Sequence, residues 1–468
     1  MSTSALGTAS VPVPVVRPVH AGVVLAIVLV SYFMIVLDNS IIFTALPEIS
    51  GAMDLTPSAL SWVQDAYTLV FGGLLLLGAR AGDLLGRQRV FVIGLALFGV
   101  ASLLVGLAQT GTWIIAARAL QGVGAAIVAP SSLALITATF TAGPARTRAV
   151  AAYGTTAGLG ASVGMVGGGA LAALVSWRAG FFVNVPIAIV MIVLALRFLP
   201  TQTTRSGRFD VVGAITSTVG MGALIFGIVN GGDAGWATPV TLIALVGGAV
   251  VLGAFVWNEW RAPHAIMPLR LFRSRQRTGA AVARLLFAGT GIAFFFFTSQ
   301  FLQGVYGWDA LQAGLAFLPL TVLQFAVSLT VSRLTRRFGN AALVAVGVAI
   351  VLVAVIWLSR ITPDTSYLIG FAGPLLLFGI GQGLCFGPLT AAGIAGAPAE
   401  DAGAASGLVN TAHQLGSTLG VAVLTAVGAG ATTVAGRVAD AYAGGAVMLA
   451  IALVAVLTLV VPAERARR

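Results

Sequence analysis

Long apolar runs separated by short polar connections make up nearly all of the chain. A helix that crosses the hydrocarbon core of a bilayer needs about 20 mostly apolar residues, and the sequence divides into segments of this kind. We predict fourteen membrane-spanning helices. Their spans are residues 21–46, 57–80, 88–108, 112–138, 147–173, 177–198, 210–230, 238–258, 278–304, 309–332, 340–359, 366–392, 404–430 and 442–461.

The first apolar run could be read as a signal peptide, since Arg17 precedes it. However, the run continues from Ala21 to about Leu46, which is longer than the roughly 7–15 residues of a signal core. We therefore interpret it as an uncleaved spanning helix that follows a Pro-, Val- and Ser-rich tail over residues 1–20.

Arginines fall mostly in every second connection between the predicted spans. The chain contains 25 basic residues, all of them arginines. The remaining connections, which alternate with the arginine-rich ones, contain only Arg178, Arg360 and Arg437. Arg118 and Arg284 lie inside spans or at their edges. Because arginine-rich loops remain on the cytoplasmic side, the pattern predicts a multi-pass protein of the inner or plasma membrane with both termini in the cytoplasm.

Composition supports a membrane protein and narrows its chemistry. Hydrophobic residues make up 58% of the chain, charged residues 8%, and the mean hydropathy is +1.02, values outside those of soluble domains. The net charge of +11 could indicate a protein that binds nucleic acid. However, the arginines form no stripe with interleaved aromatic residues, so we predict no nucleic-acid partner. Cys385 is the single cysteine and lies in an apolar run. We expect the Cys385 side chain to be a packing residue. We predict neither a metal site nor a cofactor.

An offset of 253 residues aligns two separate parts of the chain. The pairs are Arg80 with Arg333, Gly86 with Gly339, Gly154 with Gly407 and Gly167 with Gly420. Transporters often contain such internal repeats, so we predict an all-α polytopic membrane protein with two six-helix bundles and two extra central helices. The predicted regions are a cytoplasmic tail (1–20), an N-terminal bundle (21–198), a linker region with helices 7 and 8 (199–277), a C-terminal bundle (278–461) and a second tail (462–468).

Several stretches resemble signatures of a known family. GARAGDLLGRQR (78–89) is similar to the loop 2-3 signature of the major facilitator superfamily. LDNSIIFTALPEI (37–49) and IIAARALQGVGAA (114–126) resemble signatures of its 14-spanner drug/proton antiporters, the EmrB/QacA type. The other matching stretches are WRAGFFVNVP (177–186), FDVVG (209–213), PLRLF (268–272) and GAASGLVNTAHQLGSTLGVA (403–422). The resemblance implies a major-facilitator fold and drug/proton antiport.

Two positions depart from the family pattern. The helix 5 signature normally contains a proline where this chain has Met165, which puts a proline kink in doubt. In the second copy of the loop 2-3 signature, Arg336 stands where an acid would match Asp83. Only the first copy can therefore make an acid-based contact.

Ionisable residues inside membrane spans are costly and rarely face lipid. Of the 14 acids, only Asp38 and Asp65 lie well inside spans. At 1.5 Å per residue each lies about 12 Å below the nearer boundary, and Arg118 lies about 10 Å below it. We interpret the two acids as proton-coupling or cation-recognition groups tuned by Arg118, an arginine that the resemblance links to proton transfer. The alternative is a salt bridge that only fixes helix packing.

Other polar residues in the spans are candidates for a substrate cavity. Gln121 shares one helix face with Arg118, although it could equally bond another helix. In the second half the candidates are Gln300, Gln303, His413 and Gln414. His413 could instead be a satisfied interhelical histidine.

Glycines cluster in the predicted fifth helix. The cluster comprises Gly158, Gly160, Gly164, Gly167 and Gly168. A phosphate-binding loop is excluded because the chain has no lysine for a Walker motif, so we predict no ATP. Small residues let membrane helices approach closely, so we predict that these glycines pack against another helix.

The segment Gly78–Arg89 is predicted to lie at the cytoplasmic face, far in depth from Asp38 and Asp65. Its signature residues are Gly78, Asp83, Gly86, Arg87 and Arg89. Asp83 could meet arginines or a helix N-terminus across the boundary between the bundles. We interpret the segment as a latch on the inner gate, and the alternative is a loop that only sets topology.

Together these observations predict a secondary active exporter of hydrophobic or cationic small molecules in exchange for protons, embedded in the lipid bilayer and not an enzyme. A dedicated exporter of one endogenous product, such as an antibiotic, amino acid or lipid, is the closest alternative. A passive facilitator is disfavoured by the buried acids. A membrane sensor would need a signalling domain that the sequence does not contain.

Overall fold

The computed structural model describes residues 21–140, 144–199, 210–262, 267, 269–397 and 402–466. Within these ranges a few helical side chains, among them that of Asp83, and the surroundings of Gly158 lie outside the description. The predicted tail over residues 1–20 also lies outside the described residues. Regular structure in the part of the chain that is described is entirely helical.

Seventeen α-helices follow one another along the described chain. They are α1 (Ala21–Met53), α2 (Pro57–Leu85), α3 (Arg87–Gly106), α4 (Gly111–Thr139), α5 (Pro144–Leu174), α6 (Trp177–Phe182), α7 (Asn184–Phe198), α8 (Val211–Ala234), α9 (Pro239–Arg261), α10 (Arg275–Gly304), α11 (Ala310–Ala316), α12 (Leu318–Phe338), α13 (Asn340–Leu358), α14 (Gly373–Ile394), α15 (Ala402–Gly428), α16 (Val434–Ala455) and α17 (Val461–Arg465). A 3₁₀ turn covers Leu269–Arg273, and π-helical turns cover Leu368–Ala372 and Val456–Val460.

The helices are long and apolar enough for a multi-pass membrane protein. Eleven helical segments of the described chain satisfy both the length and the hydropathy of a membrane span. The other long helices, α2, α5 and α15, contain 29, 31 and 27 residues, and at 1.5 Å per residue each exceeds a hydrocarbon core of about 30 Å.

Several helices differ from their predicted spans. Helix α1 continues beyond its predicted end to Met53, and Pro47 lies inside it. A membrane helix can extend past the hydrocarbon core where its residues are polar, so the apolar run does not set its end. The predicted span 177–198 is divided at Val183 into α6 and α7. The predicted span 309–332 is divided at Phe317 into α11 and α12.

Local chemistry sets where the helices begin. Thr56 precedes α2, its side-chain oxygen accepts a hydrogen bond from the Ala59 N–H, and Pro57 occupies the first helical position. Thr110 caps α4 in the same way through the Trp113 N–H. Such caps satisfy backbone donors that a helix N-terminus would leave unpaired.

Two glycines make equivalent breaks in the two halves of the chain. Gly86 ends α2 and begins α3 with φ +94°, and Gly339 ends α12 and begins α13 with φ +87°. Other residue types rarely adopt this left-handed backbone region. The pair is one of those aligned by the 253-residue offset.

One end of the molecule, called here the basic face, gathers the arginine-rich helix ends. Arg87 at the start of α3 donates to the carbonyl of Ala134 near the end of α4. Arg277 near the start of α10 donates to the carbonyl of Gly396 after α14. At the opposite face, Arg178 donates to the carbonyl of Ala108.

The hydrophobic core differs between the half of the molecule near the basic face and the half away from it. Near the opposite face, residues of α1 such as Phe43 and residues of α10 such as Phe294 belong to one cluster. On the basic side, the helices before Leu199 keep a cluster of their own, which includes Val28, Phe91 and Phe98. The helices before Leu199 are called here the first or N-terminal bundle and those from Arg275 onward the second bundle, and the two pack directly against each other in the half away from the basic face.

The extra helices α8 and α9 form a hairpin beside the boundary of the bundles. A Cβ placed on Gly73 of α2 would lie 2.3 Å from the Thr218 hydroxyl of α8, and one on Gly232 of α8 would lie 2.8 Å from Cα of Ala426 in α15. Leu69, Ile225 and Ala422 share a small core between these three helices. Helix α8 thus covers the seam between α2 and α15.

Candidate functional site

A buried ion pair lies at the centre of the N-terminal helices. Nη1 of Arg118 in α4 lies 2.8 Å from Oδ2 of Asp38 in α1, and both side chains are 0% exposed. The sequence places these residues 80 positions apart, so helix packing alone brings them together. Desolvating two charges is expensive, and only close contact with further hydrogen bonds offsets that cost.

Amide groups satisfy the other oxygen of the Asp38 carboxylate. Gln121 Nε2 and Asn184 Nδ2 donate to Oδ1 at 2.7 and 2.8 Å. Gln121 also donates to Ser102 Oγ at 2.8 Å, and its Oε1 accepts from Arg118 at 2.7 Å. Helices α1, α3, α4 and α7 are therefore linked through one carboxylate.

The remaining donors of Arg118 point to α2. Its Nε donates to the carbonyl of Val63 at 3.1 Å, and its Nη2 lies 3.5 Å from Gln64 Oε1. The guanidinium carbon lies 4.3 Å from the centre of the Tyr67 ring, a distance at which a cation is attracted to the ring face. Arg118 is thus fully engaged within the N-terminal bundle.

Asp65 has a different environment from Asp38. It is 0% exposed, and neither carboxylate oxygen has a hydrogen-bond partner among the described residues. Thr68 and Gly72 follow at helical spacing on the same face of α2 and contact α15. Asp65 therefore lies at the boundary between the bundles, whereas Asp38 lies inside one of them.

The structure separates the predicted cavity residues. His413 lines a cavity of about 50 Å³ together with Phe287, Phe295, Gln382 and Phe386. This volume is far below the roughly 300–1,000 Å³ typical of drug-sized sites. The cavity at His413 is therefore too small for a drug-sized molecule.

The predicted glutamines occupy other places. Gln300 lines a smaller cavity of about 10 Å³. Gln303 donates to the carbonyl of Thr44 at 3.2 Å and so ties α10 to α1 rather than lining a cavity. Gln414 packs against Gly72 at the boundary of α2 and α15, and Gln121 belongs to the Asp38 network.

Three of the predicted packing glycines form a seam between α5 and α1. A Cβ on Gly164 would lie 2.7 Å from the Leu37 carbonyl, one on Gly160 3.0 Å from Val36 Cβ, and one on Gly168 2.8 Å from Ile41 Cα. Gly167 differs from the expectation, since a Cβ there would meet no atom within 4 Å. A spacing of four residues keeps the first three on one face, whereas Gly167 borders open space although it follows Gly164 by only three residues.

The predicted latch residues lie at or near the basic face. A Cβ on Gly78 would lie 2.1 Å from the Ala126 carbonyl, so this glycine permits the close crossing of α2 and α4. Arg87 binds the Ala134 carbonyl, and Arg89 is exposed. The side chain of Asp83 lies outside the described residues, and the latch stays a prediction.

Comparison with known proteins identifies the family. The profile described as Major Facilitator Superfamily matches residues 28–421. The chain belongs to this superfamily. It is 40% identical over 444 residues to the cephamycin export protein CmcT of Amycolatopsis lactamdurans, covering 92% of this chain and 91% of that protein. It is 36% identical over 413 residues to the puromycin resistance protein pur8 of Streptomyces alboniger, covering 87% and 82%.

A solved structure shows the same superfamily fold. The human organic anion transporter MFSD10 (TETRAN) superposes with a TM-score of 0.62 at 16% identity, covering 94% of this chain and all of that one. Superfamily members move small molecules across membranes and are not enzymes.

Met165, the departure from the superfamily's exporter signature, lies inside an unbroken α5. Its side chain is buried, and a Cβ on Gly314 of α11 would lie 2.5 Å from its carbonyl. This part of α5 therefore approaches the second bundle through backbone contact without a proline.

Some residues of the site escaped sequence reasoning. Asn184, Ser102 and Gln64 are uncharged, so the census of intramembrane charges passed over them although all three join the network. The signal that could have found Asn184 is its position in WRAGFFVNVP, an amide in an otherwise apolar part of that stretch.

Proposed function

We propose that the chain is a secondary active exporter of drug-like small molecules that exchanges them for protons by alternating access. In this proposal fourteen spans cross the plasma membrane, the basic face is cytoplasmic, and both termini lie inside. The first six spans form one bundle, the last six form the other, and α8 and α9 lie between them. Arginine enrichment at the basic face supports this orientation.

The observation that carries the proposal is the contrast between the two buried acids. Asp38 is balanced by Arg118, while Asp65 has no counter-charge or hydrogen-bond donor among the described residues. An ionised carboxylate without a partner is costly in an apolar environment, so a protonated carboxyl suits Asp65 when the bundles are closed around it. Separation of the bundles would hydrate Asp65 and allow the proton to leave.

In this mechanism Asp38 and Arg118 hold the N-terminal bundle as a rigid body while Asp65 exchanges the proton. Cation recognition at Asp65 is a second role for the same carboxyl, since a cationic substrate would also supply the missing charge. The relatives named for cephamycin export and puromycin resistance support a drug-like substrate.

Proton-driven uptake into inverted vesicles tests the proposal. With an imposed pH gradient, a fluorescent cationic drug should accumulate in vesicles that contain the wild-type chain, and adding it should release protons. Asp65→Asn should abolish both signals. Asp440→Asn, which changes an exposed acid of α16, serves as the matched control and should leave both signals intact.

A result in which no tested compound moves protons, or in which Asp65→Asn couples as well as the wild type, would refute antiport through this carboxyl. Export of one endogenous product is the second candidate, favoured by the identity of 40% to the cephamycin export protein over most of both chains. A drug panel separates the two, because a dedicated exporter should move one chemical scaffold and leave the others.

A further inference from the structure

The second bundle contains a buried arginine that its surroundings do not neutralise. Arg284 lies on α10, nine residues after the helix begins at Arg275, and its side chain is 2% exposed. No carboxylate among the described residues lies within ion-pair distance of it. Arg118, by contrast, has Asp38 at 2.8 Å.

The protein contacts of Arg284 leave part of its guanidinium free. Nη1 donates to the carbonyl of Phe386 at 3.2 Å, and the guanidinium carbon lies 4.1 Å from the centre of the Phe386 ring. Nε has no partner within the described part of the chain. A guanidinium carries five N–H donors in a planar fork that matches a carboxylate.

The surroundings of Arg284 are suited to an amphipathic molecule. Phe287, one turn further along α10, and Phe386 both line the 50 Å³ cavity, and so do Ile292 and Phe295. His413 lines it as well, and its buried Nδ1 has no partner among the described residues. The cavity thus has mainly apolar walls with the polar side chains of Gln382 and His413, and Arg284 lies next to it through its contacts with Phe386.

The first bundle faces the same place. Tyr32 of α1 is stacked on Tyr153 of α5 with ring centres 3.9 Å apart, and α1 packs against α10, the helix that contains Arg284. Helix α10 therefore lies at the boundary between the bundles, which on the basic side do not share a core. A ligand bound there would contact both bundles.

We propose that Arg284 binds the carboxylate of an amphipathic organic anion, whose apolar part enters the cavity lined by Phe287 and Phe295 as the bundles separate and the cavity widens. An unpaired guanidinium inside a membrane span is costly, and an anionic ligand supplies the charge that the chain does not. Asp38, already paired with Arg118, is not available to a cation, which leaves Asp65 as the group that would receive one. The inference rests on the proposed export function, because it adds an anionic class of substrate to the cationic class that Asp65 would receive.

Binding to the purified full-length chain in detergent tests the site without a pH gradient. The probes are 2-naphthylacetate and its neutral analogue 2-naphthylacetamide, and equilibrium dialysis gives their affinities. The wild type should bind the acid at least tenfold more tightly than the amide, because hydrogen bonds to a charged partner are the stronger ones. Arg284→Gln should bring the ratio close to one while the affinity for the amide is unchanged.

Two further variants keep the test decisive. Arg277→Gln alters a neighbouring arginine of α10 that binds backbone carbonyls outside the cavity, and it should preserve the ratio. Arg284→Lys keeps the charge but loses the planar fork, so its ratio should lie between those of the wild type and Arg284→Gln. It carries the test alone if the glutamine variant does not fold.

An equal affinity of the wild type for both probes, no binding of either probe, or an acid preference that survives in Arg284→Gln would overturn the proposal. Acid preference together with absent proton-driven transport would remove the exporter and leave the anion site. Proton-driven transport without acid preference would remove the anion site and leave the exporter.

Discussion

Thr418 of α15 donates its hydroxyl hydrogen to Thr68 of α2 at 2.7 Å, one helical turn from Asp65. Both side chains are buried, and the bond joins the two bundles. Any movement that opens the bundles at this level must break it. The same movement would change the surroundings of Asp65, so the proposed proton site and the bundle contact are mechanically connected.

Cysteines at these two positions should form a disulfide that stops transport. The pair Thr68→Cys and Thr418→Cys is introduced into Cys385→Ser, which removes the single native thiol. Oxidation should cross-link the closed conformation and abolish vesicle uptake, and dithiothreitol should restore it. Each single cysteine is the control, and full transport by cross-linked protein would show that the contact need not open.

The unpartnered carboxyl of Asp65 should lower stability. Replacing it with leucine removes a buried polar group whose unmet hydrogen bonds cost about 1–3 kcal/mol, so Asp65→Leu should unfold at a higher temperature in detergent while losing proton-coupled uptake. Differential scanning fluorimetry gives the first quantity and the vesicle assay the second. A variant that is both less stable and still coupled would contradict the assignment.

The ion pair predicts a different outcome for Asp38. Asp38→Asn leaves the Arg118 charge buried without its partner and should cost about 3–5 kcal/mol. The double variant Asp38→Asn with Arg118→Gln should recover much of that stability, because neither charge remains. A double-mutant cycle of unfolding free energies measures the coupling, and additive effects would mean that the pair contributes nothing.

The seam between α5 and α1 provides a matched pair of substitutions. Gly164→Ala places a Cβ 2.7 Å from the Leu37 carbonyl and should destabilise the protein by about 1–3 kcal/mol through overpacking. Gly167→Ala meets no atom within 4 Å and should change stability by less than about 0.5 kcal/mol. Similar melting temperatures for the two variants would show that α5 is not held tightly against α1.

The charged residues of the site could be predicted from the sequence for a physical reason. Asp38, Asp65 and Arg118 stand out because charges are rare in apolar spans, and depth estimates place them at one level. Which acid meets Arg118 depends on the rotation of three helices about their axes, and the apolar pattern of the chain does not specify that rotation. Pairing across 80 residues is a property of packing.

Helix continuity was also harder to predict than helix location. Apolar run lengths located the long helices, but Pro47 does not end α1, and Val183 separates α6 from α7 without a proline at that position. Both outcomes depend on neighbouring helices. For the glycines, helical spacing places Gly167 near the face of Gly160 and Gly164, so the open space beside it depends on how α5 packs against its neighbours.

The hairpin of α8 and α9 makes the two sides of the molecule unequal for a compound dissolved in lipid. Helix α8 packs on both α2 and α15 and closes that seam to lateral diffusion from the bilayer. On the other side, α5 meets α11 through Gly169 and Gly314. The two seams between the bundles are therefore closed by different means, one by a covering helix and the other by a direct backbone crossing.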